Sequence, residues 1–292
     1  MKLTHAERIV DAESGATKGD VARYYEAVAP LLLAQLKGRP VALLRAPEGV
    51  GAAGFFQKHP GKSALAGVRV LDADLWPGHE ALMEVTSHEA LLSAVQMNTL
   101  EFHPWNARHA LLGKPDRMVF DLDPGEGVGW AEVRDGTLLV RDLLQQLQLR
   151  SWLKTSGGKG LHVVVPLAAR WPVDVVRGFS QAVVQRLADE HPDRFVAKSG
   201  PANRVGRIFV DWLRNGEGAT AVAAYSLRAR PGLGVAMPIS WDELPALTGA
   251  AHWTLANAPQ HLAARKTDPW AALDAYKQSL VAPMQALGWR AD

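Results

Sequence analysis

One short stretch, Met118-Val-Phe-Asp-Leu-Asp-Pro-Gly125, constrains the fold more than any other part of the chain. Its apolar, β-favouring residues lead into Asp121 and Asp123 and stop at Pro124-Gly125, which is typical of a buried strand that ends at a sheet edge. Residues two apart on a strand lie on the same face, so we expect the two carboxylates about 7 Å apart along the backbone. Such carboxylates repel each other unless a cation lies between them or one of them is protonated. The stretch therefore predicts either a site for a hard divalent ion or simply a polar turn after a strand.

Composition limits the classes of protein that the chain can represent. Hydrophobic residues make up 48% of the 292 residues and charged residues 21%, which is ordinary for a globular protein with a well-buried core. The net charge is only +2, so nucleic-acid binding would depend on local basic patches. The absence of cysteine excludes disulfides, thiolate zinc sites and cysteine nucleophiles, and it fits the expected cytoplasmic location. No signal-peptide segment follows Met1, and the most apolar run, Val28 to Leu36, is too short to span a bilayer, so we expect no membrane contact.

Hydrophobic periodicity predicts helices and strands along the whole chain. One helix is predicted to start after Thr17, and others are predicted at Glu89 to Met97, Trp130 to Leu149, Val173 to Ala188 and Pro269 to Leu280. Further strands are predicted at Val41 to Leu44, Leu100 to Trp105, Ser151 to Thr155, Leu161 to Pro166, Arg207 to Asp211 and Ala221 to Arg230, with β-structure and turns over residues 61–85. We therefore expect an α/β (α+β) fold in which a central mixed or antiparallel sheet carries the carboxylates and helices flank it.

A glycine-rich segment, Ser156-Gly-Gly-Lys-Gly-Leu-His162, joins two of the predicted strands. Gly157-Gly158 suits a hairpin turn. Glycines also let backbone N–H groups approach a phosphate chain, while Lys159 supplies positive charge and Ser156 and His162 supply further donors. The strand–GxxxxGK[ST]–helix pattern of a Walker A loop is absent. The segment is therefore a hairpin turn that also predicts phosphate binding.

The strongest basic bias of the sequence lies between Lys198 and Arg230. Within it, Asp211 closes a predicted strand and is the third aspartate at such a position. A run of charge is usually a solvated face, but arginines beside a strand-end aspartate also suit a phosphate clamp. Together with the glycine-rich turn, these residues provide the parts for phosphoryl or nucleotidyl transfer. In that chemistry two metal ions about 3.5–4 Å apart are held by carboxylates, and cationic side chains neutralise the triphosphate.

Three positions nearer the N-terminus have both a structural and a functional interpretation. Lys18, at the start of a predicted helix, is either solvated or an anion-binding residue. Phe55 and Phe56, followed by Lys58, form either half of a local core or a stacking platform for bases. His103, at the end of a predicted strand, is either structural or part of the site.

Seven ordered segments resemble those of the archaeo-eukaryotic primase superfamily and, more narrowly, the polymerase module of bacterial ATP-dependent DNA ligase D. The match covers nearly the whole chain. The segments are Thr17-Lys-Gly-Asp20 with Tyr24-Tyr25, Phe55-Phe-Gln-Lys58, Glu101-Phe-His-Pro-Trp105, Val119-Phe-Asp-Leu-Asp-Pro-Gly125, Thr155-Ser-Gly-Gly-Lys-Gly-Leu-His162, Arg207-Ile-Phe-Val-Asp211 and Ala224-Tyr-Ser-Leu-Arg-Ala-Arg-Pro231.

The resemblance implies a role for each matching residue. Asp121, Asp123 and Asp211 would be catalytic and bind two divalent ions, Mn²⁺ or Mg²⁺, with His103 beside the metals or the primer end. The nucleotide-binding residues would be Ser156, Lys159, His162, Arg204, Arg214, Arg228 and Arg230. The residues that bind DNA and its 5′-phosphate would be Arg8, Lys18, Phe55, Phe56 and Lys58, although Arg8 stands where the family pattern leads us to expect a lysine.

The resemblance also implies a function and partners. It predicts a single primase-polymerase domain over residues 1–292, with an N-terminal lobe that contacts DNA over 1–85 and a catalytic core with C-terminal helices over 86–292. Such a bacterial enzyme would add NTPs or dNTPs, under the direction of a template, at double-strand-break ends and 5′-phosphorylated gaps during non-homologous end joining. It would associate with the nucleoid during repair, with Ku, and with fused or separate ligase and phosphoesterase domains. No ligase or nuclease segment is present, so we expect a stand-alone protein or a module of a longer one.

Two other functions remain open at this stage. One is a metal-dependent nuclease or phosphohydrolase, which uses similar acidic clusters with lysine and histidine. The other is a non-catalytic module that binds DNA ends and recruits a ligase, in which the aspartates are merely structural.

Overall fold

The structure, a computed structural model, describes residues 3–61 and 65–291. The strands within these residues are β1 (Ile9–Asp11), β2 (Ala16–Thr17), β3 (Val41–Arg45), β4 (Phe55–Gln57), β5 (Arg69–Val70), β6 (Met83–Glu84), β7 (Thr99–Pro104), β8 (Arg117–Pro124), β9 (Trp152–Thr155), β10 (Leu161–Pro166), β11 (Phe195–Val196), β12 (Ile208–Asp211) and β13 (Pro238–Ile239). The α-helices there are α1 (Lys18–Leu36), α2 (His88–Gln96), α3 (Trp130–Gln146), α4 (Val173–Glu190), α5 (Ala258–Ala264) and α6 (Val281–Leu287). Residues 62–64, part of the segment 61–85 predicted as β-structure and turns, lie outside the described residues.

The largest sheet is mixed and has six strands, in the order β11-β12-β8-β10-β9-β13. Its pairs are antiparallel except for β11 with β12, which is parallel. Asp121 and Asp123 lie on β8 and Asp211 lies on β12, so the predicted sheet that carries the three carboxylates is confirmed. A smaller antiparallel sheet has the order β4-β3-β7.

Contacts divide the chain into two compact units. The first comprises the described residues up to Ala110 together with Thr220–Met237 and Ala251–Lys266. The second comprises Leu111–Ala219, Pro238–Ala250 and the described residues from Thr267 onward. The three-stranded sheet belongs to the first unit, and the six-stranded sheet belongs to the second. The predicted N-terminal lobe over residues 1–85 falls within the first unit, and its boundary stays a prediction.

In the second unit, the strand with the Asp pair lies inside the sheet. The apolar residues of β8, including Met118, Phe120 and Leu122, are fully buried, as the opening stretch of the sequence predicts. Helix α3 packs against β8 and β10, and α4 packs against β8 and β11. Gly136 allows the close approach of α3, because a Cβ atom there would lie 2.8 Å from Ile208 Cδ1 and 3.2 Å from Phe195 Cζ.

In the first unit, α1 starts where the sequence predicts. Thr17 and Asp20 form a capping box, in which Thr17 Oγ1 accepts from Asp20 N and Asp20 Oδ2 accepts from Thr17 N. The helix is anchored to β7 by Tyr25, whose hydroxyl donates to Leu100 O at 2.6 Å. Over the part of the chain that the structure describes, no helix combines the length and the apolar character needed to cross a membrane.

Two predicted elements are wrong. Residues 221–230 do not form a strand, and their β-pairing is limited to an isolated bridge between Leu227 and Val235. Buried Tyr225 has a left-handed φ of 69°, which interrupts extended structure. Residues 269–280 do not form the closing helix, which instead covers Val281–Leu287. Residues 269–280 instead form turns and a short 3-10 helix, Leu273–Ala275. Gln278 ties the end of this segment to remote backbone, because its backbone O accepts from Ala168 N and its side chain bonds to the backbone of Arg150.

Candidate active site

Four polar side chains form a line across the six-stranded sheet of the second unit. The register pairs Asp211 on β12 with Asp121 on β8, Asp121 with His162 on β10, and His162 with Lys154 on β9. Residues directly opposite each other on neighbouring strands share a face of the sheet, with Cβ atoms about 4.5–5.5 Å apart. The line therefore places two carboxylates, an imidazole and an ammonium group next to one another.

Arg214 links the two carboxylates of this line. Its Nε atom lies 3.1 Å from Asp211 Oδ2 and 3.4 Å from Asp121 Oδ2. The other oxygen of Asp121, Oδ1, lies 3.2 Å from His162 Nε2. One cationic side chain thus contacts both carboxylates, which reduces the repulsion between them.

The residue after Arg214 fixes this arrangement. After Asp211 the chain turns into a short 3-10 helix, Trp212–Asn215. The Asn215 side chain accepts a hydrogen bond from Val119 N at 2.7 Å and donates one to Val119 O at 2.8 Å. Asn215 therefore pairs with β8 where β12 has ended, and it holds the arginine-bearing turn against the carboxylates.

Asp123 lies on the same face of β8 as Asp121 and forms an ion pair with Arg204. Its side chain is 40% exposed, against 16% for that of Asp121. The arginine ends a short 3-10 helix, Pro201–Arg204, that packs closely on the loop after β8. A Cβ atom at Gly125 would lie 1.7 Å from Arg204 O, so glycine at this position is a condition for the ion pair.

The electrostatics of the two paired aspartates differ in direction. Burial alone would raise the pKa of Asp121, but His162, Arg214 and Lys154 outweigh it and hold that pKa well below the usual range. The pKa of Asp211 is raised, chiefly by burial; Arg214 opposes the shift, whereas the negative charge of Asp121 adds to it. The pair therefore has one firmly ionised carboxylate and one whose ionisation an additional cation would favour.

The donors of this site suit hard divalent ions, because aspartates supply only oxygen ligands. The position of Arg214 between Asp121 and Asp211 demonstrates that one cation can contact both carboxylates, so the pair fits a shared metal ion. Within residues 3–61 and 65–291, however, no three His, Asp or Glu side chains lie in an arrangement ready to hold a metal. Metal binding by all three predicted aspartates, Asp123 included, stays a prediction.

The glycine-rich turn between β9 and β10 is held together by Ser156. Its hydroxyl accepts hydrogen bonds from Gly158 N at 3.1 Å and from Gly160 N at 3.2 Å. A Cβ atom at Gly160 would lie 1.7 Å from Leu122 O, so the turn lies directly against β8. These N–H groups, which the sequence suggested for phosphate contact, are bonded within the turn, while the side chain of Lys159 is exposed.

Lys159 and Arg204 line one open cleft of about 820 Å³ in the second unit. The glycine-containing loop Gly125–Gly129 and Trp130, at the start of α3, form other parts of its wall. Two predicted nucleotide-binding cations therefore face the same space beside the end of β8. Positive side chains around a cleft of this size are suited to a polyphosphate group.

The first unit contains a second polar cluster, centred on Glu101 in β7. Glu101 Oε2 accepts hydrogen bonds from His103 Nε2 at 2.7 Å and from Arg228 Nε at 3.0 Å, and Oε1 accepts one from Ala229 N at 2.8 Å. Burial raises the pKa of Glu101, but His103 and Arg228 outweigh this effect and lower the pKa to about 2. The structure therefore brings the predicted site residues His103 and Arg228 together through a carboxylate. The ring of Phe56 packs edge-on against that of His103, with centroids 5.0 Å apart.

Two predicted phosphate-binding residues of the first unit donate to other groups of the protein. Lys18 is only 5% exposed, and its Nζ donates to Gln96 O at 2.7 Å. Arg8 donates to Pro47 O and, at 2.5 Å, to Asn98 Oδ1. Burial, with a contribution from Arg8, lowers the pKa of Lys18.

The remaining predicted residues of the first unit lie at its surface. Phe55 and Phe56 are 47% and 50% exposed on the edge strand β4, and the guanidinium carbon of Arg45 lies 5.2 Å from the centre of the Phe55 ring. Lys58 and Arg230 are exposed. Exposed aromatic rings on a sheet edge favour the stacking-platform interpretation over the half-core one.

Sequence reasoning gave no role to three residues that organise these clusters: Glu101, Lys154 and Asn215. The first two are charged residues within otherwise apolar strands, and they are 3% exposed. That pattern was a usable signal, because a buried charge is expensive unless it is paired. Asn215 had no comparable signal, since its partner Val119 is 96 positions away.

Comparisons with known proteins agree with this fold. The family model described as "LigD, primase-polymerase domain" matches residues 17–270. The multifunctional non-homologous end joining protein LigD of Pseudomonas aeruginosa is 47% identical over 98% of this chain and 34% of that protein. The protein of the same name from Mycolicibacterium smegmatis is 33% identical over 84% of this chain and 32% of that protein. The chain thus spans about a third of the length of these curated relatives.

A solved structure gives the same result for the fold. The polymerase domain from Mycobacterium tuberculosis ligase D, in complex with DNA, superposes with a TM-score of 0.83 at 32% identity, and the match covers 95% of this chain and 99% of that one. The fold is therefore that of a nucleotidyltransferase of the primase-polymerase class. More narrowly, the chain belongs to the LigD primase-polymerase domain family, which confirms the resemblance seen in the motifs.

Proposed function

We propose that the chain adds ribo- or deoxyribonucleotides to the 3′ end of a DNA primer, as directed by a template, at breaks and gaps during end joining. The observation that carries the proposal is the line Asp211–Asp121–His162 with Arg214 between the carboxylates, in a chain of this family. Carboxylates and cations side by side are the groups that nucleotidyl transfer requires.

Asp121, Asp123 and Asp211 would hold two divalent ions, Mn²⁺ or Mg²⁺. When bound, such ions activate the attacking 3′-hydroxyl and stabilise the departing pyrophosphate. The arginines that contact these carboxylates, Arg204 and Arg214, would then turn to the negative charge of the triphosphate.

The incoming nucleotide would be bound chiefly by cationic side chains. Lys159, on the turn braced by Ser156, and Arg204 face a common cleft and would contact phosphate oxygens. Arg228 and Arg230 would contribute further positive charge, and His162, which contacts Asp121, would help to hold the nucleotide. His103 would lie beside the metals or the primer end, next to the incoming nucleotide. We infer these roles from the chemistry of the side chains, because each of them can donate hydrogen bonds to anionic oxygens.

The DNA partner would be a double-strand-break end or a gapped duplex with a 5′-phosphate. Lys18 and Arg8 would bind that phosphate by exchanging their present acceptors for its oxygens, while Phe55 and Phe56 stack on bases and Lys58 contacts the DNA backbone. The structural neighbour from Mycobacterium tuberculosis is a complex with DNA, which supports this part of the proposal. Partnership with Ku and with ligase and phosphoesterase domains, and action at the bacterial nucleoid, follow from the end-joining role and are proposed with it.

Primer extension on a gapped duplex with a downstream 5′-phosphate tests the proposal. The assay compares NTPs with dNTPs and Mn²⁺ with Mg²⁺. Asp121→Asn should abolish extension and leave DNA affinity intact, because it removes a charge and a metal ligand while keeping the size of the side chain. Asp142→Asn is the matched control, since Asp142 pairs with its neighbour Arg141 on the surface of α3.

Each alternative has its own outcome in the same experiment. Degradation of the duplex without added nucleotide would point to the metal-dependent nuclease or phosphohydrolase. DNA binding without any metal-dependent chemistry would point to the non-catalytic module that recruits a ligase. Appreciable extension by Asp121→Asn would contradict the role assigned to this carboxylate.

A further inference from the structure

Glu101 occupies an unusual place for a carboxylate. All six residues of β7 are buried, and Glu101 stands between the apolar residues Leu100 and Phe102. A buried ion pair is often no more stable than well-packed apolar side chains of similar volume, whereas a buried charge without partners is very costly. The energetics of the strand alone therefore give no reason for a glutamate at this position, and its contacts have to explain it.

The contacts of Glu101 hold two side chains of the proposed site. His103 follows two positions later on the same face of β7, and its Nε2 donates to Oε2 at 2.7 Å. Arg228 comes from a distant part of the chain, and its Nε donates to the same oxygen at 3.0 Å. An imidazole that donates to a carboxylate is fixed in both ring orientation and tautomer. An arginine anchored through Nε has its guanidinium plane set for contact with phosphate oxygens.

The backbone next to Arg228 is anchored to the same strand. Ala229 N donates to Glu101 Oε1 at 2.8 Å, Ala223 N donates to Phe102 O at 2.8 Å, and Phe102 N donates to Ser226 Oγ at 3.0 Å. The carboxylate thus bonds to both the side chain of Arg228 and the peptide unit that follows it. Without this anchor, the segment would still be held by its other bonds, but the guanidinium would lose the hydrogen bond from Nε that sets its plane.

We propose that Glu101 is a positioning residue, whose single carboxylate orients His103 and Arg228 together for the incoming nucleoside triphosphate. The inference rests on the function proposed above, because that function gives the two side chains their role. Glu101 itself contacts neither substrate nor metal in this proposal. It acts by presenting two donors in one fixed geometry.

The chain offers a matched control in Glu84. This residue is also buried in the first unit, and its carboxylate also contacts an arginine, a histidine and a backbone N–H group: Arg69 at 2.5 Å, His109 at 3.7 Å and Gly38 N at 2.5 Å. None of these partners belongs to the proposed site. Replacement of either glutamate by glutamine removes one buried charge from a cluster of the same composition.

The experiment compares Glu101→Gln and Glu84→Gln with the wild-type chain in gap filling, in binding of a fluorescent NTP analogue, and in thermal unfolding. We expect Glu101→Gln to weaken nucleotide binding and to raise KM for NTP by about tenfold or more, as the loss of hydrogen bonds to a charged group predicts. DNA affinity should not change. Glu84→Gln should lower thermal stability to a similar extent and leave both nucleotide parameters unchanged.

A double-mutant cycle keeps the test decisive if Glu101→Gln is poorly folded. Arg228→Lys preserves the charge but removes the Nε donor, so Glu101→Asp, which preserves the carboxylate, should impair the Arg228→Lys protein much less than the wild type. Equal effects of Glu101→Asp in both backgrounds, or an unchanged KM in Glu101→Gln, would overturn the positioning role. Absence of any extension by the wild-type chain would instead defeat the proposed function, and nucleotide binding by the same variants would still test Glu101.

Discussion

Replacing Gly160 by alanine should separate the glycine-rich turn from the strand that carries the carboxylates. Gly160 lies just before β10, whose first residue, Leu161, pairs with Leu122. An added Cβ atom would lie 1.7 Å from Leu122 O, whereas real Cβ atoms essentially never come within 3.0 Å of such an atom. The contact is with a backbone oxygen inside a sheet, so no flexible side chain can move away to relieve it.

The size of the effect follows from this distance. The two atoms must separate by at least about 1.3 Å, and the turn with Ser156 and Lys159 moves relative to Asp121 by a similar amount. A misplacement of about 1 Å near reacting groups costs about 100-fold in rate. The strain should also lower the free energy of unfolding by about 1–3 kcal/mol, as overpacking typically does. We therefore expect Gly160→Ala to lose about two orders of magnitude in kcat/KM for nucleotide addition.

Gly113→Ala is the matched control for this change. Gly113 is an exposed glycine of the same unit, and a Cβ atom there would meet nothing within 4 Å. The control should be neutral or slightly stabilising, by up to about 1 kcal/mol, because alanine restricts the unfolded chain. Denaturant unfolding and steady-state gap filling would be measured on both variants. If Gly160→Ala unfolded like Gly113→Ala and kept its kcat/KM, the close contact between the turn and β8 would be refuted.

Three further predictions concern single charges. Asp211→Asn should raise the free energy of unfolding near neutral pH, because burial and Asp121 raise the pKa of Asp211, so its ionised form destabilises the folded state. In acid, where Asp211 is protonated, the unfolding curves of variant and wild type should converge. Primer extension by the variant should be lost. Lys18→Ala should weaken DNA binding about 10- to 100-fold for 5′-phosphorylated gaps only. The control is Lys37→Ala, at an exposed position. An equal loss of affinity for unphosphorylated gaps would contradict the phosphate contact. The ionised carboxylate of Glu101 should contribute on the order of 3 kcal/mol to the free energy of unfolding above pH 4.5, because its pKa is lowered to about 2 in the folded state. Denaturant titrations should show that this contribution is lost as the pH falls toward 2. If the difference in free energy of unfolding between wild type and Glu101→Gln did not change over that range, the contribution would be excluded.

Local sequence signals were sufficient for the elements that depend on neighbours along the chain. The strand before Asp121 was predictable from its apolar run and the Pro124-Gly125 stop, and the start of α1 from Thr17 and Asp20. Both depend on interactions within a few residues. The failures at 221–230 and 269–280 have the opposite origin, because bonds to remote partners decide the conformation there. Tyr24 donates to Tyr225 O across 201 positions, and this contact accompanies the left-handed turn at Tyr225.

The candidate site likewise has features that the sequence predicted and features that depend on contacts between distant segments. The sequence identified which residues carry charge at strand ends, and its ordered motifs identified the family, because motif order is a property of the chain itself. Apart from the hairpin that joins β9 to β10, it did not identify which strands are neighbours. The register that places Asp211, Asp121, His162 and Lys154 in one line depends on pairing among four separate strands.

By itself, then, the sequence determined the strand that carries the Asp pair, the mixed α/β class and the family. Only the tertiary structure decided that Asn215 holds Arg214 between two carboxylates and that Glu101 joins His103 to Arg228. The physical reason is that hydrogen bonds and ion pairs act over about 3 Å in space, whatever the separation along the chain. A buried charge therefore signals in the sequence that a partner exists, and folding selects which one it is.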